Sequence, residues 1–206
     1  ARVFSHSSLA LLASNCSIPV VNALSDSAHP CQAIADCLTI YEQKGKLEGL
    51  KLAFIGDGNN VASSLALACS HAGMHFSIAS PASYKLPSDI WESASKISYK
   101  KGTNLLWTSD PKEAVDNADI IYTDVWVSMG DEKENEERLR KFSGYQVNED
   151  LVSYAKPDVL FMHDMPAHRG EEISQNMLDH PNSVVYQQAE NRLHAQKTII
   201  AELFGH

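Results

Sequence analysis

Five short stretches carry residue types that could do chemistry. His29-Pro30-Cys31-Gln32 sets an imidazole and an amide three positions apart at the start of a helical pattern. Free backbone amides there favour an anion or a polarised oxygen, although a simple helix cap explains the His equally. Gly56-Asp57-Gly58-Asn59-Asn60 joins an apolar run to a helical pattern. A dinucleotide fingerprint would sit there, but Val61 occupies the third glycine position, and no acidic residue follows near Ala79-Ser80 to hold a ribose. That argues against a nicotinamide site. A tight turn capped by Asp57 or Asn59, or a polar ligand site using an Asn amide, remains. Asp124-Val125-Trp126-Val127-Ser128-Met129-Gly130 ends a strand in a carboxylate and continues with an aromatic, a hydroxyl, a thioether and a hinge-capable glycine. A carboxylate at a buried strand end has a use if the ligand is an amine or amino acid. His163-Asp164-Met165-Pro166 follows another apolar run and reads by itself as a restrained X-Pro turn. Asn191-Arg192 opens the last helix, with Arg192 either a surface ion pair or an anion clamp.

These stretches need elements to place them. Leu50–Ile55 and Ala118–Thr123 are apolar runs expected as buried parallel strands. Weaker strand candidates are Ile18–Asn22, His75–Ala79, Asn104–Thr108, Val159–Met162 and Ser183–Tyr186. Helical spacing is expected over Pro30–Gln43, Val61–Ala72, Ser88–Lys101, Lys112–Asn117, Glu132–Phe142 and Glu190–Phe204. Strands alternating with helices predict an α/β fold: a doubly wound, mainly parallel sheet with helices on both faces. Ligands in such folds bind at the carboxyl ends of the strands, where these stretches lie. The charge run Asp131–Arg140 mixes both signs and predicts a solvated helix face or loop.

Composition bounds the function classes. The 206 residues contain 17 Lys+Arg and 26 Asp+Glu, a net charge of −9. That balance argues against nucleic acid as a partner, because phosphate neutralisation needs clustered basic residues. No apolar run approaches the ~18 residues of a membrane span. The four cysteines (Cys16, Cys31, Cys37, Cys69) have no metal spacing and are expected to be reduced and buried in a cytoplasmic protein. The start at Ala1-Arg2, with no signal-like segment, reads as the interior of a larger protein.

In this order, the motifs resemble the ornithine carbamoyltransferase family. The matching pieces are His-Pro-x-Gln at 29–32, Gly-Asp-Gly-Asn-Asn at 56–60, Asp-Val-Trp-Val-Ser-Met-Gly at 124–130 and Ala-Glu-Asn-Arg at 189–192. The resemblance implies transfer of the carbamoyl group from carbamoyl phosphate to the side-chain amine of L-ornithine, with no metal or organic cofactor. Residues 1–28 then belong to a carbamoyl phosphate domain, 29–44 to an interdomain helix, 45–186 to an ornithine domain, and 187–206 to a helix returning to the first domain. Arg2, His29, Gln32, Arg192 and Met165 are implied as carbamoyl phosphate contacts. Asn60, Asp124, Ser128, Met129 and Asp164 are implied as the ornithine set, with Asp124 facing the α-ammonium and Ser-Met-Gly forming a lid. His29, Gln32, Arg192 and Asp164 would act on the reacting atoms. The family also implies a homotrimer.

Two departures qualify the resemblance. The family's His-Cys-Leu-Pro reads His163-Asp164-Met165-Pro166 here. With an ordinary carboxyl pKa near 3.9, Asp164 is expected to be ionised beside the reacting amine. It could then either hold that amine protonated or accept its proton. The Ser-Thr-Arg-Thr phosphate motif is absent from the 206 residues. Transfer to another amine (putrescine or a modified ornithine), or a non-catalytic amino-acid-binding paralogue, are the alternatives.

Overall fold

The computed structural model describes residues 1–127 and 134–205. Its centre is a five-stranded sheet in the order β3-β2-β1-β4-β5, with every pair parallel. The strands are β1 (Lys51–Ile55), β2 (His75–Ala79), β3 (Leu105–Thr108), β4 (Ile120–Thr123) and β5 (Leu160–His163). The helices are α1 (His6–Asn15), α2 (Pro30–Lys44), α3 (Asn60–Ala72), α4 (Ser88–Lys101), α5 (Pro111–Val115), α6 (Asn135–Phe142), α7 (Glu149–Val152) and α8 (Val185–Leu203).

Side chains alternate across the sheet and so build two cores. Leu52, Phe54, Phe76, Ile78, Ile120 and Tyr122 pack with Ala62, Leu65 and Ala66 of α3 and Ala94 of α4. Ala53, Ile55, Ile121 and Phe161 face the other way, onto Val115 of α5, Phe142 of α6 and Leu151 of α7. Each fully buried large side chain contributes about 1.5–3 kcal/mol. Burial on both faces explains why β1 and β4 read as unbroken apolar runs. The chain winds outward from β1 through β2 to β3, then crosses back to β4 on the other side of β1. This reversal opens a crevice between the carboxyl ends of β1 and β4.

Several elements differ from the sequence expectation. Ile18–Asn22 joins no sheet; that region makes only the Arg2–Leu24 bridge. Ser183 makes a single bridge to Phe161, and Tyr186 already lies in α8, which starts five residues earlier than the expected Glu190. A four-residue apolar run does not distinguish a strand end from a buried helix start. Helix α5 begins at Pro111 behind the cap Asp110 and ends before Asn117, whose φ is +54°. Cys16 is exposed and Cys37 half-buried; only Cys31 and Cys69 are buried, and all four are free thiols. Within the charge run, Arg138 is buried, because α6 turns it toward Asp57.

Candidate active site

A cleft of about 1010 Å³ opens at the crevice. The turn after β1 forms one wall, and its shape depends on glycine. A Cβ at Gly58 would lie 2.4 Å from the backbone N of Leu86 and 2.4 Å from the carbonyl carbon of Lys85. Gly58 N–H donates to the Tyr84 carbonyl at 2.9 Å, tying the turn to the segment after β2. The next residue, Asn59, caps α3: its Oδ1 accepts from the amides of Val61 and Ala62, each at 3.0 Å. Its Nδ2 donates to Asp124 Oδ2 at 2.7 Å. The cap therefore also aims the carboxylate at the end of β4. Asp57 is no cap. It pairs with Arg138 at 2.6 Å, and Arg138 also donates to the Trp126 carbonyl at 3.0 Å. That pair ties the segment after Asp124 to the glycine turn.

Arg2, His29, Asn60, Asp124, Asp164, Met165 and Arg192 all line the cleft. These residues come from six separate parts of the chain and were all expected in the site. Ser128 and Met129 lie outside the described residues. Asn60 Nδ2 is engaged, donating to the Ser25 carbonyl at 2.7 Å. Gln32 does not line the cleft. It lies behind the wall, its Nε2 donating to Asp36 Oδ1 at 2.8 Å and its Oε1 accepting from Arg192.

His29 is 3% exposed, and its pKa is lowered to about 4. Burial is the main cause; the charges of Arg192 and Arg2 add to it. The imidazole is therefore neutral at pH 7, so the charge at this end of the cleft comes from the two arginines.

Asp36, Tyr122 and Gln188 form a buried cluster that the sequence reading did not find. Asp36 Oδ1 accepts from Gln32 and from Gln188, each at 2.8 Å, while Oδ2 accepts from the Tyr122 hydroxyl at 3.0 Å. Burial pushes Asp36 up to about 7 against the pull of these donors. Gln188 Oε1 also accepts from the His163 amide at 2.9 Å, linking α8 to the end of β5. The available signal was Asp36 standing four residues after Gln32, on the same helix face.

The last wall is the turn after β5. His163 is fully buried, with Nδ1 accepting from the Met165 amide at 2.9 Å and Nε2 3.2 Å from Glu172 Oε1. The proton is therefore on Nε2, facing the carboxylate. Met165 has a φ of +58° and precedes a cis proline bond. Asp164 corrects the sequence expectation of an ionised carboxylate. Burial first, and then the Asp124 charge, hold its pKa well above the ordinary carboxyl range. One cleft is thus lined both by Arg2 and Arg192 and by the carboxyl groups of Asp124 and Asp164.

Residues 48–203 match the Asp/Orn binding domain of aspartate/ornithine carbamoyltransferases, and residues 1–42 match the carbamoyl-P binding domain of the same proteins. The chain belongs to the aspartate/ornithine carbamoyltransferase family. Among curated relatives, an ornithine carbamoyltransferase of Bacillus subtilis is 53% identical over 97% of this chain and 62% of its own length. That of Anoxybacillus flavithermus is 51% identical over 98% and 64%. Among solved structures, the ornithine carbamoyltransferase of Pyrococcus furiosus superposes with a TM-score of 0.94 at 50% identity, covering 98% of this chain and 64% of that one. The chain thus spans slightly under two thirds of the length of these family members.

Proposed function

We propose that this chain carries the ornithine-binding part, and a portion of the carbamoyl phosphate-binding part, of an ornithine carbamoyltransferase. The observation that supports this best is a single cleft lined by two arginines, a neutral imidazole and two carboxyl groups. In this reading Arg2 and Arg192 hold the phosphate charge of carbamoyl phosphate. His29 acts on the carbonyl oxygen, and Gln32, fixed by Asp36 behind the wall, orients Arg192 toward the carbamoyl group. Met165 adds a further contact to that substrate. Asn60, Asp124, Ser128, Met129 and Asp164 receive L-ornithine, with Asp124 at the α-ammonium. The neutral side-chain amine attacks the carbonyl carbon, a tetrahedral oxyanion forms, phosphate leaves with the C–O bonding pair, and the attacking nitrogen gives up one proton to the departing phosphate.

The domain reading is 1–28 with the carbamoyl phosphate domain, 29–44 as an interdomain helix, 45–186 as the ornithine domain and 187–206 as a returning helix. Exposed apolar side chains on α1 (Leu11, Leu12) and α8 (Leu193, Ile200, Leu203) support further family sequence packing there. A cytoplasmic homotrimer is the assembly this reading expects. No described helix is long and apolar enough to cross a membrane.

The test is citrulline formation from carbamoyl phosphate and L-ornithine by the intact protein. Arg192→Gln should lower kcat/KM by about 10²–10³, the usual loss for one charge-stabilising donor. No citrulline from the parent protein refutes the reading. Asp164 at the family's cysteine position favours a second reading, transfer to another amine such as putrescine or a modified ornithine. A kcat/KM for putrescine above that for ornithine would select it.

A further inference from the structure

Asp124 and Asp164 directly follow Thr123 and His163, which are paired across β4 and β5. A carboxyl oxygen of each lies within 4.8 Å of the other. Two ionised carboxylates this close in a largely buried site repel each other, which favours a proton on one of the two. The surroundings decide which one carries it. Asp124 Oδ1 accepts from the Val125 amide and Oδ2 from Asn59, each at 2.7 Å, so both of its oxygens already serve as acceptors. Asp164 Oδ1 is buried with no hydrogen-bond partner, and its side chain is 11% exposed. Asp164 therefore holds the proton.

The titratable groups facing Asp164 reinforce this assignment. Asp124 and Tyr122 on the β4 side and Asp36 on α2 offer no positive charge. His163 Nδ1 lies 3.7 Å from Asp164 Oδ1, but its lone pair already accepts the Met165 amide. The arginines lining the cleft are Arg2 and Arg192, and among the described residues neither makes an ion pair with Asp164; Arg192 donates to Gln32. The engaged His163 lone pair also makes a metal ion a poor fit, because it leaves two carboxylates as ligands.

We propose that Asp124 and Asp164 form a subsite for a primary ammonium group, holding one shared proton before the amine docks and releasing it when the amine arrives. This rests on the reading of the cleft as an amine-substrate site and deepens it. On docking, the Asp164 O–H bond breaks and its proton goes to solvent. The ammonium keeps its three N–H bonds and donates them to two carboxylates. The amine is thereby selected as a cation, and its affinity tightens by up to about tenfold per pH unit while the free pair retains its proton.

The experiment is titration calorimetry of the intact protein with L-ornithine and with putrescine, from pH 6 to 7.5, in buffers of differing ionisation heat. The expected result is close to one proton released per amine bound, with the affinity rising with pH. Asp164→Asn should abolish both the release and the pH slope, while Asp36→Asn, which removes a buried carboxyl that does not line the cleft, should preserve both. Infrared difference spectra of the parent protein, which need no variant, should show a protonated-carboxyl band lost when ornithine is added. Amine binding without proton release, or equal release from Asp164→Asn, overturns the proposal; so does failure of both amines to bind. Citrulline assayed in the same preparation separates the two readings. Citrulline without proton release sinks the carboxyl pair alone, and proton release without any carbamoylated product sinks the transferase alone.

Discussion

Replacing Asp36 by Asn should remove part of the pH dependence of stability. The native carboxyl titrates at about 7 against an ordinary value of 3.8, because it is fully buried. The native state therefore binds a proton that the unfolded chain has already lost. The sign follows: this group's contribution is fully present below about pH 4 and disappears as pH rises through about 7. At 1.36 kcal/mol per pKa unit, the loss between pH 5 and pH 8 is about 3 kcal/mol. Asparagine reproduces the protonated form. Its Oδ1 can accept from Gln32 and Gln188, and its Nδ2 can donate to the Tyr122 oxygen, where Asp36 now receives the Tyr122 hydroxyl. The variant should therefore gain about 3 kcal/mol relative to its parent on going from pH 5 to pH 8. Any fixed hydrogen-bond cost cancels in that difference. Urea unfolding of both proteins at several pH values measures it, with equal m-values required. A parent-to-variant stability gap that stays constant from pH 5 to pH 8 would refute the assignment of a buried, proton-binding Asp36.

Two further variants probe the walls of the cleft. Gly58→Ala forces a Cβ against the backbone of Lys85 and Leu86 and should cost about 1–3 kcal/mol in urea unfolding. On the proposed reading it should also weaken ornithine binding by shifting Asn59; parental stability and affinity would show that the turn has slack. Arg138→Met breaks the 2.6 Å pair with Asp57, whose side chain is 12% exposed, and should cost about 3 kcal/mol. Adding Asp57→Asn should recover much of that loss; a double variant no more stable than Arg138→Met would locate the cost elsewhere.

The sheet was readable wherever a strand is buried on both faces. Leu50–Ile55 and Ala118–Thr123 announced β1 and β4 within two residues, since burial on both sides demands an unbroken apolar run. The flanking segments 18–22 and 183–186 were misread because a few apolar residues fit a strand edge, a helix start or a covered loop equally well. Seven expected site residues line one cleft: His29, Asn60, Asp124, Asp164 and Met165 follow a strand end or open a helix beside the reversal in strand order, and Arg2 and Arg192 reach it from the chain start and from within α8. Gln32 was placed correctly on α2 but one layer too far forward. Helical spacing gives a direction from the axis, not the depth at which neighbouring helices leave a side chain.

The residue types and their order along the chain determined the doubly wound sheet, the positions of its ligand-bearing turns and the family. Those properties are local, set by apolar period, glycine and turn chemistry. Protonation was decided only by the tertiary structure. Asp36, Asp124 and Asp164 are the same residue type, yet one sits buried among amide donors, one accepts two N–H groups, and one carries the proton of a carboxyl pair. The charge of an acid depends on what surrounds it after folding, and residues 36, 124 and 164 meet only when β4, β5 and α2 have packed.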